Sequence, residues 1–289
     1  MNIIEIYKKF PDETACIKHL EKVKWNNEPA CPYCKSKNQT PLKAGFRYHC
    51  NSCNTSYSVT VGTIFHNTKL DFQKWFLAIS LIINAKKGVS ARQLGRDIQV
   101  TKDTAWYMGM RIRKAMHHDS ELLHGIIEMD ETYVGGKPCK FDRDDDKPLK
   151  RGRGTKKTPV IGMVKRNGDV RAFMIRKVNA NKIESLIRKN VNRNLSVLVT
   201  DEYKAYKRMK KILPHLSVDH SKMYADGLIH TNNMEGFWAL LKRGIIGQYH
   251  KVSDKHLPLY LNEFSFRFNH RKIENDVFFG STILRAVGA

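Results

Sequence analysis

Two sets of side chains in this sequence have the types and spacing to do chemistry. The first is Cys31-Pro-Tyr-Cys34 and Cys50-Asn-Ser-Cys53, two CxxC pairs with fifteen residues between them. Two turns that each present two thiolates make a tetrahedral S4 site suited to zinc. Four protein ligands leave no open position, so this zinc is structural. Between the pairs, Phe46-Arg47-Tyr48-His49 alternates like a short strand leading into the second turn, and the whole reads as a zinc ribbon. His49 neighbours a ligand set that is already complete. A ribbon has little core of its own, so metal binding supplies much of its folding energy. Cys16 and Cys139 lack partner spacing and read as ordinary thiols.

The second set is acidic. Residues 125–136 (GIIEMDETYVGG) alternate like a core strand, yet they carry Glu128, Asp130 and Glu131. A later apolar run, 196–200 (SVLVT), reads as a buried parallel strand and ends at Asp201. If these two strands are neighbours, about 4.8 Å apart, Asp130 and Asp201 point into one pocket. Glu235, in the first turn of a later helix, could close it. Strand alternation puts Glu128 on the face of Asp130 and Glu131 on the other. Buried carboxylates are prohibitive without compensating charge. Divalent cations provide it: two Mg2+ about 4 Å apart activate an attacking oxygen and stabilise a leaving one in phosphoryl transfer. Glu202 reads as a helix-start acid favoured by the dipole.

The surrounding pattern supplies elements to position these acids. Residues 159–165 and 170–178 read as a hairpin about Asn167-Gly168, residues 181–190 as a helix, and 202–210 as a short helix. A weak strand follows near 216–220, then a helix from Asn232 to about Arg243 with Met234, Phe237, Trp238 and Leu241 on its apolar side. Three strands, helix, strand, helix, strand, helix fit a mixed sheet covered by helices. In residues 255–272, Leu257, Leu261, Phe264 and Phe268 recur at helical spacing and read as core.

Upstream, residues 71–86 form a core helix through Trp75, Phe76, Ile79, Ile82 and Ile83. Ser90 caps a short helix to about Ile98, Gln99-Val100 turns, and Thr101 caps a second helix to about Met116. Leu94, Ile98, Ala105, Met108 and Ile112 face inward. A capped short helix, a tight turn and a capped basic helix suit a helix-turn-helix, with Lys102, Asp103, Trp106, Tyr107 and Arg111 near bases or phosphates. The charged segment 137–158 contains Asp144-Asp145-Asp146, read as a solvated run, and Lys150, Arg151, Arg153, Lys156 and Lys157, read as tracking DNA phosphates. His220, His230 and His250 read as structural or substrate-positioning residues.

The balance of 51 Lys and Arg against 28 acids, +23 over 289 residues, is the footprint of a partner rich in phosphate. No apolar run of about 18 residues exists, and the first residues lack a signal peptide's pattern. A cytoplasmic, nucleoid-associated protein is expected, in which the six cysteines are not paired as disulfides.

The blocks CPYC…CNSC, MDETYVGG, GRGTKKTPVIGMV, VLVTDEYKAY and HTNNMEGFWALLKRGIIGQYHKVSDKHLPLYLNEFSFRFNHR occur in that order. Over almost its whole length the chain resembles DDE-type transposases of the IS1595 family, with an ISXO2-like catalytic domain. The resemblance implies an α/β, RNase H-like mixed sheet and a DDE triad falling on Asp130, Asp201 and Glu235. It also implies a basic residue after the Glu. Lys242, seven residues on, shares a helix face with Glu235 and would hold a DNA phosphate, with Arg243 beside it. Some family members carry Asn in place of the third acid, and Asn232 and Asn233 lie close by; Glu235 suits Mg2+ better, leaving Asn233 to orient a ligand or cap the helix.

The expected organisation is a zinc ribbon over 1–66, a helix-turn-helix region over 67–120, the catalytic domain over 121–275 and a tail over 276–289. The expected activity is strand cleavage and strand transfer, with two catalytic Mg2+ or Mn2+ ions and a structural zinc. The substrate is double-stranded DNA at the terminal inverted repeats and at a target, taken by a homo-oligomer and not at a membrane. A DNA-binding regulator derived from a transposase and an RNase H-like nuclease are the alternatives.

Overall fold

A computed structural model describes residues 1–43, 45–118, 121–136, 155–218 and 230–288. The chain divides into two units, Met1–His117 with Lys272–Ala289, and His118–Arg271.

The first unit opens with α1 (Ile3–Lys9), where Asn2 and Glu5 form a reciprocal capping box, and α2 (Glu13–Trp25), capped by Asp12. Strands β1 (Gln39–Pro41), β2 (Arg47–Cys50) and β3 (Thr55–Ser58) make the antiparallel ribbon. Helix α3 (Phe72–Asn84) buries Trp75, Phe76, Ile79, Ile82 and Ile83, the stripe its periodicity predicts. Ser90 and Thr101 cap α4 (Ala91–Asp97) and α5 (Lys102–Ala115) by accepting from the N–H groups of Gln93 and Thr104. The turn between them passes Gln99 in the left-handed region at φ 54°. It lies so close to α4 that a Cβ on Gly95 would meet the Val100 carbonyl oxygen at 2.8 Å. Leu94, Ile98, Ala105, Met108 and Ile112 are all buried.

The second unit is built on a five-stranded sheet. Strand β4 (Leu123–Val134) lies at its centre, antiparallel to β5 (Thr158–Lys165), which pairs with β6 (Val170–Met174). Asn167, at φ 61°, makes the hairpin turn, as its Asn-Gly sequence predicts. Helix α6 (Ala180–Asn190) returns the chain to β7 (Val191–Asp201), parallel to β4, and β8 (His215–Val218) extends the sheet in parallel. The strand order β6-β5-β4-β7-β8, three antiparallel strands and then two parallel to the first, is RNase H-like. Strand β7 begins at Val191, five residues ahead of the apolar run that marks it in the sequence.

Alternation sorts the sheet's side chains between two cores. Ile127, Met129, Ile161, Met163 and Leu198 pack with α6 and with Tyr206 and Met209. On the other face Val160, Val164, Val170 and Ala172 pack with α7 (Asn232–Gly244) and α8 (Leu257–Asn269).

Residues 276–289 are not the tail that the sequence reading sets apart. Asn275–Gly288 form α9, which buries Phe278, Phe279, Ile283 and Ala286 in the first unit. The Phe279 ring lies 5.7 Å from that of Phe76, and the Ala286 carbonyl accepts from the Ile64 N–H at 3.0 Å. No described helix is long and apolar enough to cross a membrane.

Candidate active site and zinc centre

In the ribbon, Cys31, Cys34, Cys50 and Cys53 bring their four sulfurs within 4.8 Å of one another. The Cys31–Cys53 and Cys34–Cys50 sulfurs are 3.6 and 3.5 Å apart. A tetrahedron with Zn–S bonds of about 2.3 Å has an edge of about 3.8 Å, so the group fits a four-thiolate zinc. The core behind it is small. Tyr57 is buried and stacks on half-buried Tyr48 at 5.7 Å, with Trp25 edge-on to both. His49 is not part of the cluster. Cys16 lies apart in α2, where burial pushes its thiol up to about 12, as befits an inert core residue.

The acidic site is set by strand register. Glu128 pairs with Val199 across the parallel β4–β7 ladder. Two residues further along both strands come Asp130 and Asp201, side by side on one face. Asp130 Oδ2 accepts from Trp238 Nε1 at 3.1 Å, and Asp201 Oδ1 accepts from the Tyr203 N–H at 3.1 Å. Burial, together with the charges of Glu131 and Asp201, pushes the Asp130 carboxyl up to about 7.

Glu131 points to the opposite face, as alternation predicts, where its Oε2 accepts from the Tyr206 hydroxyl at 2.9 Å. Its chain is long enough to reach back around the strand. One ligand atom each from Asp130, Glu131 and Asp201 lies within 4.8 Å of the others. Three carboxylates at this spacing, one of them raised by the others, form a donor set that a divalent cation would satisfy.

Glu235 does not belong to that group of three. It is exposed in the first turn of α7, with the Thr231 hydroxyl 3.4 Å from its Oε1. It stands one turn before Trp238, whose indole touches Asp130, so helix geometry places it on the neighbouring part of the α7 surface. Lys242 and Arg243 are exposed two turns on. Trp238 reaches Asp130 because Gly162, the β5 partner of Asp130, has no side chain. A Cβ there would meet Met234 Cε at 2.4 Å and the Trp238 ring at 2.6 Å.

Strand alternation puts Glu131 on the face away from Asp130 and says nothing of how far a glutamate reaches. The sequence reading gives Tyr206 and Trp238 no part in the site. No local pattern marks their hydroxyl and indole as partners of acids 75 and 108 residues away.

On the surface of α5, Lys102 is exposed and lies 3.3 Å from Asp103, while Trp106 and Tyr107 are also exposed. Arg111 is partly occupied within the fold: it donates to the His66 carbonyl and the Tyr107 hydroxyl, both at 2.9 Å, and lies over the Tyr107 ring. Lys156 is exposed and Lys157 half-buried. Cys139, Asp144-Asp145-Asp146, Lys150, Arg151, Arg153 and His220 lie outside the described residues.

Fold and carboxylate cluster together define a DDE-type enzyme of phosphoryl transfer. Residues 122–269 match the ISXO2-like transposase domain, and residues 11–56 match the transposase zinc-ribbon domain that accompanies it. The chain belongs to the IS1595 family of insertion-sequence transposases. It is 27 % identical over 278 residues to an uncharacterized protein in the transposable element ISH50 of Halobacterium salinarum, covering 90 % of this chain and 92 % of that one. An uncharacterized transposase-like protein of Haemophilus influenzae is 26 % identical over 83 residues, 28 % of this chain and 67 % of that one. Among solved structures, the Mos1 strand transfer complex covers 72 % of this chain and 73 % of its own, at 15 % identity and a TM-score of 0.30. The Mos1 paired end complex with Mg covers 68 % and 75 %, at 15 % identity and a TM-score of 0.27.

Proposed function

We propose that this transposase cuts and rejoins DNA at the terminal inverted repeats of its own element, using Mg2+ or Mn2+ held by Asp130, Asp201 and either Glu131 or Glu235. The observation that carries the reading is the closeness of Asp130, on β4, to Asp201, at the end of the adjacent parallel strand β7, with Glu131 closing the cluster. The bound ions would supply an activated oxygen nucleophile and stabilise the leaving oxygen.

The chain's own residues do the rest. Trp238 donates to one oxygen of Asp130 and Tyr206 to one oxygen of Glu131, and these bonds orient both carboxylates toward a ligand. Lys242 and Arg243, exposed on α7, take DNA phosphates beside the acids. Water attacks a phosphodiester, its P–O3′ bond breaks, and a 3′-hydroxyl and a 5′-phosphate remain. That hydroxyl then attacks a target phosphodiester, one P–O bond forming as another breaks. Helices α4 and α5 and the zinc ribbon read the ends, with Lys102 and Trp106 at the groove and the basic residues Arg151, Arg153, Lys156 and Lys157 along the backbone. Joining two ends calls for a dimer or larger assembly on DNA, at the nucleoid.

The test is Mg2+-dependent cleavage and strand transfer on duplexes carrying the element's ends, wild type beside Asp201→Ala. Nicking and joining that disappear in the variant are expected. A variant that cuts normally would overturn the site. Cleavage without joining would favour a nuclease, and binding without cleavage a regulator.

A further inference from the structure

Glu128 is fully buried on the Asp130 face of β4, and its hydrogen bonds run to the first turn of α7 and to Arg166 in the β5–β6 turn. Its Oε2 accepts from the backbone N–H of Asn233 at 2.9 Å and of Met234 at 3.3 Å. Its Oε1 accepts from Asn233 Nδ2 at 2.7 Å and from Arg166 Nε at 3.0 Å. Arg166 also donates to the His230 carbonyl at 3.2 Å, and His230 Nδ1 lies 3.4 Å from the same carboxylate oxygen.

The first-turn amides of a helix need an acceptor, and a negative charge there suits the dipole. Thr231, at the cap position of α7, makes no side-chain cap bond. A strand residue 105 positions earlier in the chain caps α7 instead. The Arg166 guanidinium balances the buried charge, which would otherwise be costly.

We propose that Glu128 is a positioning residue of the active site: it clamps the first turn of α7 onto β4 and so fixes how Glu235, Trp238 and Lys242 meet Asp130 and Asp201. The proposal rests on the metal-dependent reading above. Two anchors hold α7 on the sheet, the clamp at Asn233 and the seat of Trp238 on Gly162. Glu235 lies between them on α7, so its position relative to the acids depends on both. The Asn233 amide is already occupied by Glu128. This makes Asn233 part of the clamp; a metal-ligand role would fall to its Oδ1, which that bond does not use.

The test uses the full-length, zinc-loaded protein. Mn2+ binding is followed by electron paramagnetic resonance, and cleavage is measured across a Mn2+ series. Glu128→Gln offers one acceptor oxygen and an NH2 group where several donors converge. Its Mn2+ affinity should fall about tenfold, the lower end for partners that orient metal ligands, with circular dichroism unchanged and cleavage recovering at high Mn2+. A melting temperature in Mn2+-free buffer close to wild type separates this from mere destabilisation, which bound metal would also offset.

Asn233→Asp decides between the two roles of Asn233, and carries the decision alone if Glu128→Gln does not fold. As a metal ligand, a new carboxylate would tighten Mn2+ binding. As a clamp partner it would sit against Glu128 and weaken both binding and cleavage. Weakening in Asn233→Asp supports the clamp; tighter binding, or wild-type behaviour in both variants, overturns it. A wild-type protein that binds no Mn2+ would instead overturn the metal-site reading beneath the proposal.

Discussion

The seat of Trp238 on Gly162 can be tested with one methyl group. In Gly162→Ala the new Cβ would lie 2.6 Å from the Trp238 ring and 2.4 Å from Met234 Cε. The methionine end can swing aside; the indole cannot without moving α7 or leaving its rotamer. Ordinary carbon contacts begin near 3.5 Å, so the ring must retreat by about 1 Å. That stretches the 3.1 Å bond from Trp238 Nε1 to Asp130 beyond hydrogen-bonding range. Overpacking of this kind costs about 1–3 kcal/mol, and losing a hydrogen bond to a charged group adds about 1.5 kcal/mol or more. The second unit should melt about 5–18 °C lower. The larger effect falls on catalysis, because a 1 Å displacement near reacting groups can cost about a hundredfold. Single-turnover cleavage at saturating Mg2+, on protein checked to be folded at the assay temperature, measures it. Wild-type cleavage in Gly162→Ala would refute the idea that the Trp238 contact organises the site.

Two further outcomes follow from the site's electrostatics and from the ribbon. Asp130, with its folded pKa raised to about 7, contributes stability that is complete below its unfolded pKa near 4 and lost as pH rises through 7. In Mg2+-free buffer with the ribbon's zinc in place, Asp130→Asn should therefore stabilise the protein by about 4 kcal/mol at pH 8 and by under about 2 kcal/mol at pH 5; a gap that does not shrink on acidification in thermal melts would contradict this. Removing zinc, or replacing Cys34 by Ser, should unfold the ribbon, since its buried core is little more than Tyr57 and the ligands. Affinity for end DNA, read by fluorescence anisotropy, should fall while the melting of the second unit is unchanged.

The elements were legible where the signal is local. Ser90 and Thr101 mark helix starts, Asn167-Gly168 marks a hairpin, and the apolar runs ending in acids mark β4 and β7 as neighbours. The two CxxC pairs specify their cluster through spacing alone. Signals carried by distant partners were not legible. Helix α9 has helical spacing at Phe278, Phe279, Ile283 and Ala286, but nothing in that stretch says that it packs with Phe76 and Phe10. Helices α1 and α2, ahead of the ribbon, were read simply as part of it. Alternation puts Glu128 on the Asp130 face but gives it no role, because the amides it caps lie 105 residues away.

The packing of α9 with the first unit means that the catalytic unit is spliced into the middle of another folded body. This bears on how copies of such an element decay. A frameshift or stop codon near residue 272 would leave every acid of the second unit and every cysteine of the ribbon intact. It would also strip Phe279, Ile283 and Ala286 from the interior of the first unit and expose Phe76 beneath them. A copy truncated there would keep Asp130, Glu131, Asp201 and Glu235 and lose the interior of the body that flanks them in the chain.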